Sequence, residues 1–196
     1  MVKLRSTGCQ PVLVSKVLSD WQPVLRRSPK FLSENETKQG MLEDAIALAV
    51  EKFRGVRDKE DQPYILHLLR VSMSVDEPDA RIVGLLHDIV EDTDVTLNDL
   101  RALNFSKSII DGVDHLTHRS DVSYAEYVIR IRSHELARVC KIADLHDNYR
   151  LDRVAYRDGH IDKDARRIQR YVLSYQFLRD KIDELTYRRL MQAVDR

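Results

Sequence analysis

The sequence predicts an all-α fold, and three observations support this prediction. Apolar residues recur with a helical period from Met41 onward, and no segment shows the alternating pattern of a β-strand. Glycine is scarce, at 6 of 196 residues, and the breaks between periodic segments are mostly short and polar, as between packed helices. A chain of this length can bury one sizeable core, so we expect one helical domain.

The N-terminal segment, residues 1–33, differs from the rest of the chain. Residues 9–13 (Cys-Gln-Pro-Val-Leu) return almost unchanged as residues 21–25 (Trp-Gln-Pro-Val-Leu), without a sustained helical period. We therefore expect a weakly structured arm over 1–33, followed by the helical domain over 34–196. The arm is interpreted either as a docking peptide or as a non-essential extension, and the behaviour of chain termini favours the extension.

The first two helices of the domain follow from apolar spacing. Residues at i, i+3, i+4, i+7, i+8 and i+11 form one apolar face: Leu42, Ala45, Ile46, Ala49, Val50 and Phe53. The polar stretch 57–62 ends this helix, and Pro63 marks the turn into a second helix. The second helix is predicted over 64–71, with His67 inside its apolar pattern.

The third helix, predicted over 80–92, carries polar residues that a core helix does not normally contain. Its first half is apolar, as expected for a buried helix. In a continuous helix His87 and Glu91 stack along one side, as do Asp88 and Asp92, because each pair is four residues apart. Charged side chains on a core helix need a metal ion, polar partners or a water-filled cleft.

Caps and apolar spacing predict the remaining helices. Thr96, with Asp99 three residues later, is the expected N-cap of a short helix that runs through Leu103. Ser106 is the expected cap of the next helix. Further helices are predicted over 123–133, 135–153 and 162–195, the last as one long helix or two shorter ones.

Composition and charge narrow the classes of function. Lys plus Arg equals Asp plus Glu, at 32 each, so no overall positive charge favours nucleic acid or an anionic membrane as a partner. No apolar run approaches the roughly 18 residues of a membrane span, and the N-terminus lacks the apolar region of a signal peptide. Cys9 and Cys140 show no metal-finger spacing. We expect a cytoplasmic protein, and the sequence leaves its oligomeric state open.

Ionisable residues interrupt the apolar helical patterns at three places. These are His67, the pair His87 and Asp88, and Asp144. Two imidazoles and two carboxylates would form a mixed nitrogen and oxygen site for a divalent metal, with positions left for water and substrate. Of the other histidines, His146 is the one placed to support Asp144.

The acidic pair Glu91 and Asp92 follows the His-Asp pair by one helical turn. Either carboxylate would lie near a bound metal without ligating it, and would orient or deprotonate an attacking water.

Simpler interpretations remain open for single residues. His67 is also explained as a half-buried histidine with satisfied hydrogen bonds, and Asp144 as an ion-pair partner of Lys141.

These motifs together resemble the hydrolase domain of the RelA/SpoT family, within the HD phosphohydrolase superfamily. The resemblance covers roughly residues 40–155 and rests on Pro-Tyr-x-x-His at 63–67, His-Asp-x-x-Glu-Asp-Thr at 87–93 and Lys-x-Ala-Asp-x-x-x-Asn at 141–148. It implies an HD-domain helical bundle. It also implies an enzyme that removes the 3′-pyrophosphate of the guanosine polyphosphate alarmones ppGpp and pppGpp, with Mn²⁺ as cofactor.

The resemblance implies roles for individual residues. The implied metal ligands are His67, His87, Asp88 and Asp144. The implied catalytic residues acting on water are Glu91 and Asp92. The expected substrate contacts are Arg57 for the guanine, Asn148 for the nucleotide, and Lys141 in the basic rim. The chain departs from the family at the turn 60–62, which lacks the usual glycine, and at Leu145, where the family has lysine.

Three functions stay open on the sequence alone. The first is alarmone hydrolysis, and a chain of this length is expected to have no room for a synthetase domain. The second is an HD enzyme acting on another nucleotide, such as an NADPH phosphatase or a nucleotidase, which would share the metal site. The third is a non-catalytic nucleotide or metal sensor, which predicts loss of the acidic pair. The same ligands would also accept Fe²⁺, Zn²⁺, Ni²⁺ or Mg²⁺.

Overall fold

A computed structural model of the chain, which describes residues 34–150 and 158–195, confirms the all-α prediction. The described residues form ten helices and no β-strand, with one isolated bridge between Arg57 and Pro63. The helices are α1 (Glu34–Lys52), α2 (Ile65–Met73), α3 (Pro78–Leu86), α4 (Ile89–Asp92), α5 (Leu97–Ala102), α6 (Lys107–Leu116), α7 (Tyr124–Arg132), α8 (Glu135–Asn148), α9 (Ile161–Leu178) and α10 (Glu184–Val194). The segment predicted over 162–195 therefore forms two helices.

The chain divides into two units, Met1–Thr37 and Lys38–Arg196, and the helices from α2 onward belong to the second. The weakly structured arm predicted over 1–33 lies outside the described residues, and the domain boundary at residue 34 stays a prediction. None of the described helices is long and apolar enough to span a bilayer.

Helix α3 lies at the centre of the second unit. It packs against α2, α6 and α8, and every residue from Ile82 to Leu86 is buried. A helix that is apolar on all sides must be enclosed by other helices. Gly84 permits the close approach of α2, because a Cβ atom built on Gly84 would lie 3.2 Å from the Cα atom of Ser72. Since that neighbour is backbone, a larger residue can fit only if the two helices move apart.

The predicted helix caps are confirmed. Thr96 and Asp99 form a reciprocal capping box at the start of α5, and Ser106 accepts the backbone N–H of Ile109 at the start of α6. Helix α8 is capped by a histidine, since His134 Nδ1 accepts the N–H of Ala137 at 3.4 Å. These caps fix where α5, α6 and α8 begin.

The prediction of one continuous helix over 80–92 is wrong at its middle. Helix α3 ends and α4 begins on either side of His87 and Asp88, which form a turn. The carbonyl oxygen of Gly84, the i−4 acceptor for Asp88 in a continuous helix, accepts a hydrogen bond from His87 Nδ1 at 2.8 Å. Asp88 has φ −99° and ψ 0°, outside ideal helical values. The buried His87 imidazole thus competes with the backbone N–H of Asp88 for the carbonyl oxygen of Gly84.

The tight contact at Gly84 predicts a matched pair of stability effects. Gly84→Val should lower the free energy of unfolding by about 1–3 kcal/mol, because the added methyl groups overpack the α2–α3 contact. Gly40→Val, in α1, should have little effect, because no atom lies within 4 Å of a Cβ atom built there. Urea denaturation followed by circular dichroism measures both values, and equal losses would contradict the packing argument.

The histidine cap of α8 predicts a pH effect on stability. Partial burial lowers the pKa of His134, the neighbouring His115 and Lys107 lower it further, and Asp111 opposes them. The unfolded chain therefore binds the proton more readily, and the stability contributed by neutral His134 is lost as pH falls below about 6.5. His134→Asn keeps a good cap without titrating. Urea unfolding at pH 7 and pH 5 should show a smaller loss in this variant than in the wild type.

Candidate metal centre

Three regions of the bundle bring the predicted ligands together. His67 lies on α2, His87 and Asp88 form the turn after α3, and Asp144 lies on α8. His67, His87 and Asp88 each offer one ligand atom, and these three atoms lie within 4.8 Å of one another. Asp144 lies beside this group, with Oδ1 3.3 Å from His67 Nε2 and 3.8 Å from His87 Nε2. Residues far apart in sequence thus meet at one buried point.

Both imidazoles are oriented in the same sense. His87 Nδ1 donates to the carbonyl oxygen of Gly84 at 2.8 Å, and His67 Nδ1 donates to the carboxylate of Asp147 at 2.7 Å. Since carbonyl and carboxylate oxygens only accept, each Nδ1 carries a proton, and in the neutral rings Nε2 carries the lone pair. A metal-ligating histidine needs this tautomer when it binds through Nε2.

His87 Nε2 tests whether a metal fits this site. The atom is buried and makes no hydrogen bond of normal geometry, although Asp88 Oδ2 lies only 3.0 Å away. A buried polar nitrogen without a hydrogen bond is costly, and coordination to a cation removes that cost. The donor set of two imidazoles and carboxylate oxygens therefore fits a divalent transition metal.

The electrostatics of the centre favour positively charged imidazoles and negatively charged carboxylates. Burial lowers the pKa of His87, but the charge of Asp88 outweighs burial and raises it to about 9. Burial raises the pKa of Asp88, but His87 outweighs burial and lowers it to about 2. The pKa of His67 is likewise raised despite burial, by hydrogen bonds to Asp144 and Asp147. A cation that binds here replaces protons on the imidazoles.

Neighbouring side chains hold both carboxylates in place. The Tyr64 hydroxyl donates to Asp88 Oδ2. Lys141 Nζ donates to Asp144 Oδ2 at 2.7 Å, and Asn148 Nδ2 donates to Asp144 Oδ1. Burial raises the pKa of Asp144, but Lys141 and the imidazoles keep it well below its usual range. The predicted ion pair of Asp144 with Lys141 is therefore confirmed, and the role of Asp144 as a metal ligand stays a prediction.

The predicted catalytic pair, Glu91 and Asp92, lies exposed on the short helix α4. Glu91 Oε1 accepts the backbone N–H of His118 at 2.5 Å, which ties the carboxylate to the loop between α6 and α7. Partial desolvation and the charge of Asp88 raise the pKa of both residues. A raised pKa brings a carboxylate closer to the range in which it exchanges protons at neutral pH.

The predicted substrate contacts lie in different surroundings. Lys141 and Asn148 both contact Asp144, as described above. Arg57 lies in the loop between α1 and α2, where its side chain is 58% exposed and Nη1 donates to the carbonyl oxygen of Asp61 at 2.5 Å. Within the described residues, no hydrogen bond or ion pair joins Arg57 to the four candidate ligands.

The sequence alone assigns no role to three residues of the site: Tyr64, His118 and Asp147. Helical spacing contains a signal for Asp147, because the buried residues of α8 include Ala137, Cys140, Asp144 and Asp147 at intervals of three and four. His146, which the sequence indicates as the support for Asp144, is exposed. His118 contacts Glu91 through its backbone N–H, so the identity of residue 118 does not predict this contact.

Comparisons with known proteins agree with the helical fold. No protein-family model matches the chain. The chain is 30% identical over 164 residues to a GTP pyrophosphokinase of Streptomyces coelicolor and 29% identical over 167 residues to that of Streptomyces antibioticus. These matches cover 74% and 79% of the chain, which spans only 19% of the length of either relative.

The fold is also similar to a solved structure described as a metazoan ortholog of SpoT that hydrolyses ppGpp. The TM-score is 0.58 and the identity 20%, with 84% of this chain and 96% of that chain covered. At this identity the likeness shows a shared helical fold.

The metal centre predicts a loss of binding without a loss of fold. Asp88→Ala should weaken Mn²⁺ binding by more than about 100-fold, beyond the effect typical of removing an indirect support. Helical circular dichroism should remain, because the Asp88 side chain makes no capping hydrogen bond to α4. Asp94→Ala, which removes only the exposed ion pair with Lys52, is the matched control. Isothermal titration calorimetry measures both affinities, and unchanged binding in Asp88→Ala would exclude it as a ligand.

Proposed function

We propose that this protein is a divalent-metal phosphohydrolase of the RelA/SpoT family that removes the 3′-pyrophosphate of ppGpp and pppGpp. The observation that carries the proposal is the convergence of His67, His87, Asp88 and Asp144, with both imidazoles donating from Nδ1. The solved structure of similar fold belongs to a protein that hydrolyses ppGpp. The curated relatives are named for the synthetic reaction, but a histidine and carboxylate group that can hold a metal favours hydrolysis.

A divalent cation held by the four residues would lower the pKa of a bound water and withdraw charge from a phosphoryl oxygen. We assign Mn²⁺ as this cation from the family resemblance. Tyr64 holds Asp88, and Lys141 with Asn148 holds Asp144, so that neither carboxylate has to reorganise during the reaction.

We assign the proton transfer to Glu91 and Asp92. Water attacks the phosphorus next to the ribose, the bond from that phosphorus to the ribose 3′ oxygen breaks, and pyrophosphate leaves. The water gives a proton to the acidic pair, and the 3′ oxygen gains one. Glu91 is fixed for this task by the amide of His118, and its raised pKa suits a group that accepts and returns a proton.

We assign substrate binding to Arg57, Lys141 and Asn148. Lys141 and Asn148 each use one hydrogen on Asp144, which leaves further N–H groups to address phosphate or ribose oxygens. Arg57 is exposed and forms an isolated bridge with Pro63, the residue before Tyr64, and its guanidinium would leave Asp61 to contact the guanine.

One assay separates the candidate functions. Mn²⁺-loaded protein is incubated with ppGpp, with NADPH, with nucleoside monophosphates, and with ATP plus GTP, and the products are separated by anion exchange. We expect pyrophosphate from ppGpp alone. Phosphate from NADPH or a monophosphate would instead indicate an HD enzyme on another nucleotide. Alarmone made from ATP and GTP would indicate a synthetase instead of a hydrolase. No turnover of any substrate with metal bound would indicate a non-catalytic sensor.

The proposed proton transfer predicts that Glu91→Gln separates chemistry from metal binding. The variant should keep its Mn²⁺ affinity, since Glu91 is not a ligand, but its kcat on ppGpp should fall by about 10²- to 10⁴-fold. Asp94→Asn makes the same change of carboxylate to amide three residues away and should keep kcat. A Glu91→Gln variant with wild-type kcat would remove this residue from the chemistry.

A further inference from the structure

Asp147 is a buried carboxylate that the proposed chemistry does not use. It lies on α8, three residues after Asp144, and is only 4% exposed. Its Oδ2 lies 2.7 Å from His67 Nδ1, while Arg70 donates through Nε to Oδ1 at 2.6 Å and through Nη2 to Oδ2 at 3.2 Å. A carboxylate at this depth is costly unless it is paired, so these contacts hold it in place.

The contact with Asp147 determines which nitrogen of His67 faces the metal centre. While Nδ1 keeps its proton, Nε2 is the nitrogen left to bind a metal, and it lies 3.3 Å from Asp144 Oδ1 and 4.0 Å from Asp88 Oδ2. Without an acceptor at Nδ1, the neutral ring would exchange between tautomers and orientations. Only one of those states ligates a metal through Nε2.

Arg70 holds Asp147 for this task. It follows His67 by three residues on α2, so both side chains lie on one face of the helix and meet the same carboxylate. A guanidinium that donates twice fixes the orientation of a carboxylate as well as its charge. With Arg70 donating to both of its oxygens, the Asp147 carboxylate keeps Oδ2 as a fixed acceptor for His67 Nδ1, which favours a proton on that nitrogen.

We propose that Asp147 is a positioning residue of the metal centre, which holds His67 as an Nε2 ligand while Arg70 holds Asp147. The inference rests on the metal centre of the proposed function, and does not depend on the substrate. If Asp147 only tied α2 to α8, its replacement would lower stability and leave the metal affinity of the folded protein unchanged.

The test is the Mn²⁺ affinity of the full chain, measured by isothermal titration calorimetry for the wild type, Asp147→Asn and Asp147→Leu. The asparagine amide oxygen still accepts from Nδ1, although less strongly, whereas leucine has a similar shape and accepts nothing. We expect affinity to fall about 10-fold for Asp147→Asn and about 100-fold for Asp147→Leu, the range typical of removing such a support. Helical circular dichroism should be retained.

A matched control is Asp164→Asn, a buried carboxylate on α9 that pairs with Arg167 at 3.2 Å. This variant should keep its Mn²⁺ affinity whatever its stability. Unchanged affinity in folded Asp147→Asn would overturn the proposal. Equal losses of Mn²⁺ affinity in Asp147→Asn and Asp147→Leu would also overturn it. They would mean that the negative charge of Asp147 matters and its hydrogen bond to His67 does not. If Asp147→Leu does not fold, the comparison of Asp147→Asn with the wild type decides.

The outcome is separable from that of the proposed function. A wild type that binds Mn²⁺ but leaves ppGpp intact would overturn the hydrolase, while the graded order of affinities would still support the role of Asp147. Hydrolysis of ppGpp with equal Mn²⁺ affinities in all variants would overturn only the role of Asp147.

Discussion

Four ionisable side chains meet against the apolar interior of the bundle, and burying them costs several kcal/mol per charge unless each one has a partner. The structure meets this requirement by placing His67 and His87 against Asp88 and Asp144. The Tyr64 hydroxyl donates to Asp88 Oδ2, the oxygen nearest His87, and the Lys141 ammonium donates to the outer oxygen of Asp144. The arrangement nearly balances charge without a metal. One buried atom, His87 Nε2, makes no hydrogen bond, and coordination to a metal would remove the free-energy cost of burying it.

The architecture around the centre follows from that requirement. The turn at His87 and Asp88 interrupts the most buried helix of the second unit, and the imidazole takes up the carbonyl of Gly84. Helix α8 carries Asp144 and Asp147 in the stripe that would otherwise be apolar, and α2 supplies His67 and Arg70 to meet them. Most polar atoms of the centre pair with one another, between helices that also share the hydrophobic core.

The helices were predictable because apolar spacing and capping residues act locally, as at Thr96 and Ser106. The four candidate ligands were also expected to converge, because a charged residue in an apolar stripe has to find partners, and the structure brings them together. Their role in binding a metal stays a prediction. The break at His87 was not, since it arises from a side chain competing for a backbone carbonyl, which the 3.6-residue period does not encode. The partners of Asp147 and Glu91 depend on contacts between distant segments, and a single sequence contains no information about which segments meet.

The two imidazoles are held by contacts of very different range. His87 bonds to Gly84, three residues earlier, whereas His67 bonds to Asp147, 80 residues later. The first contact forms when one turn of α3 forms, but the second must close a long loop and dock α2 on α8, which is slow and entropically costly. The centre is therefore complete only once α2 has docked on α8. A partly folded chain holds one of its two imidazoles in place and has little means of capturing a metal ion before the enclosing helices are assembled.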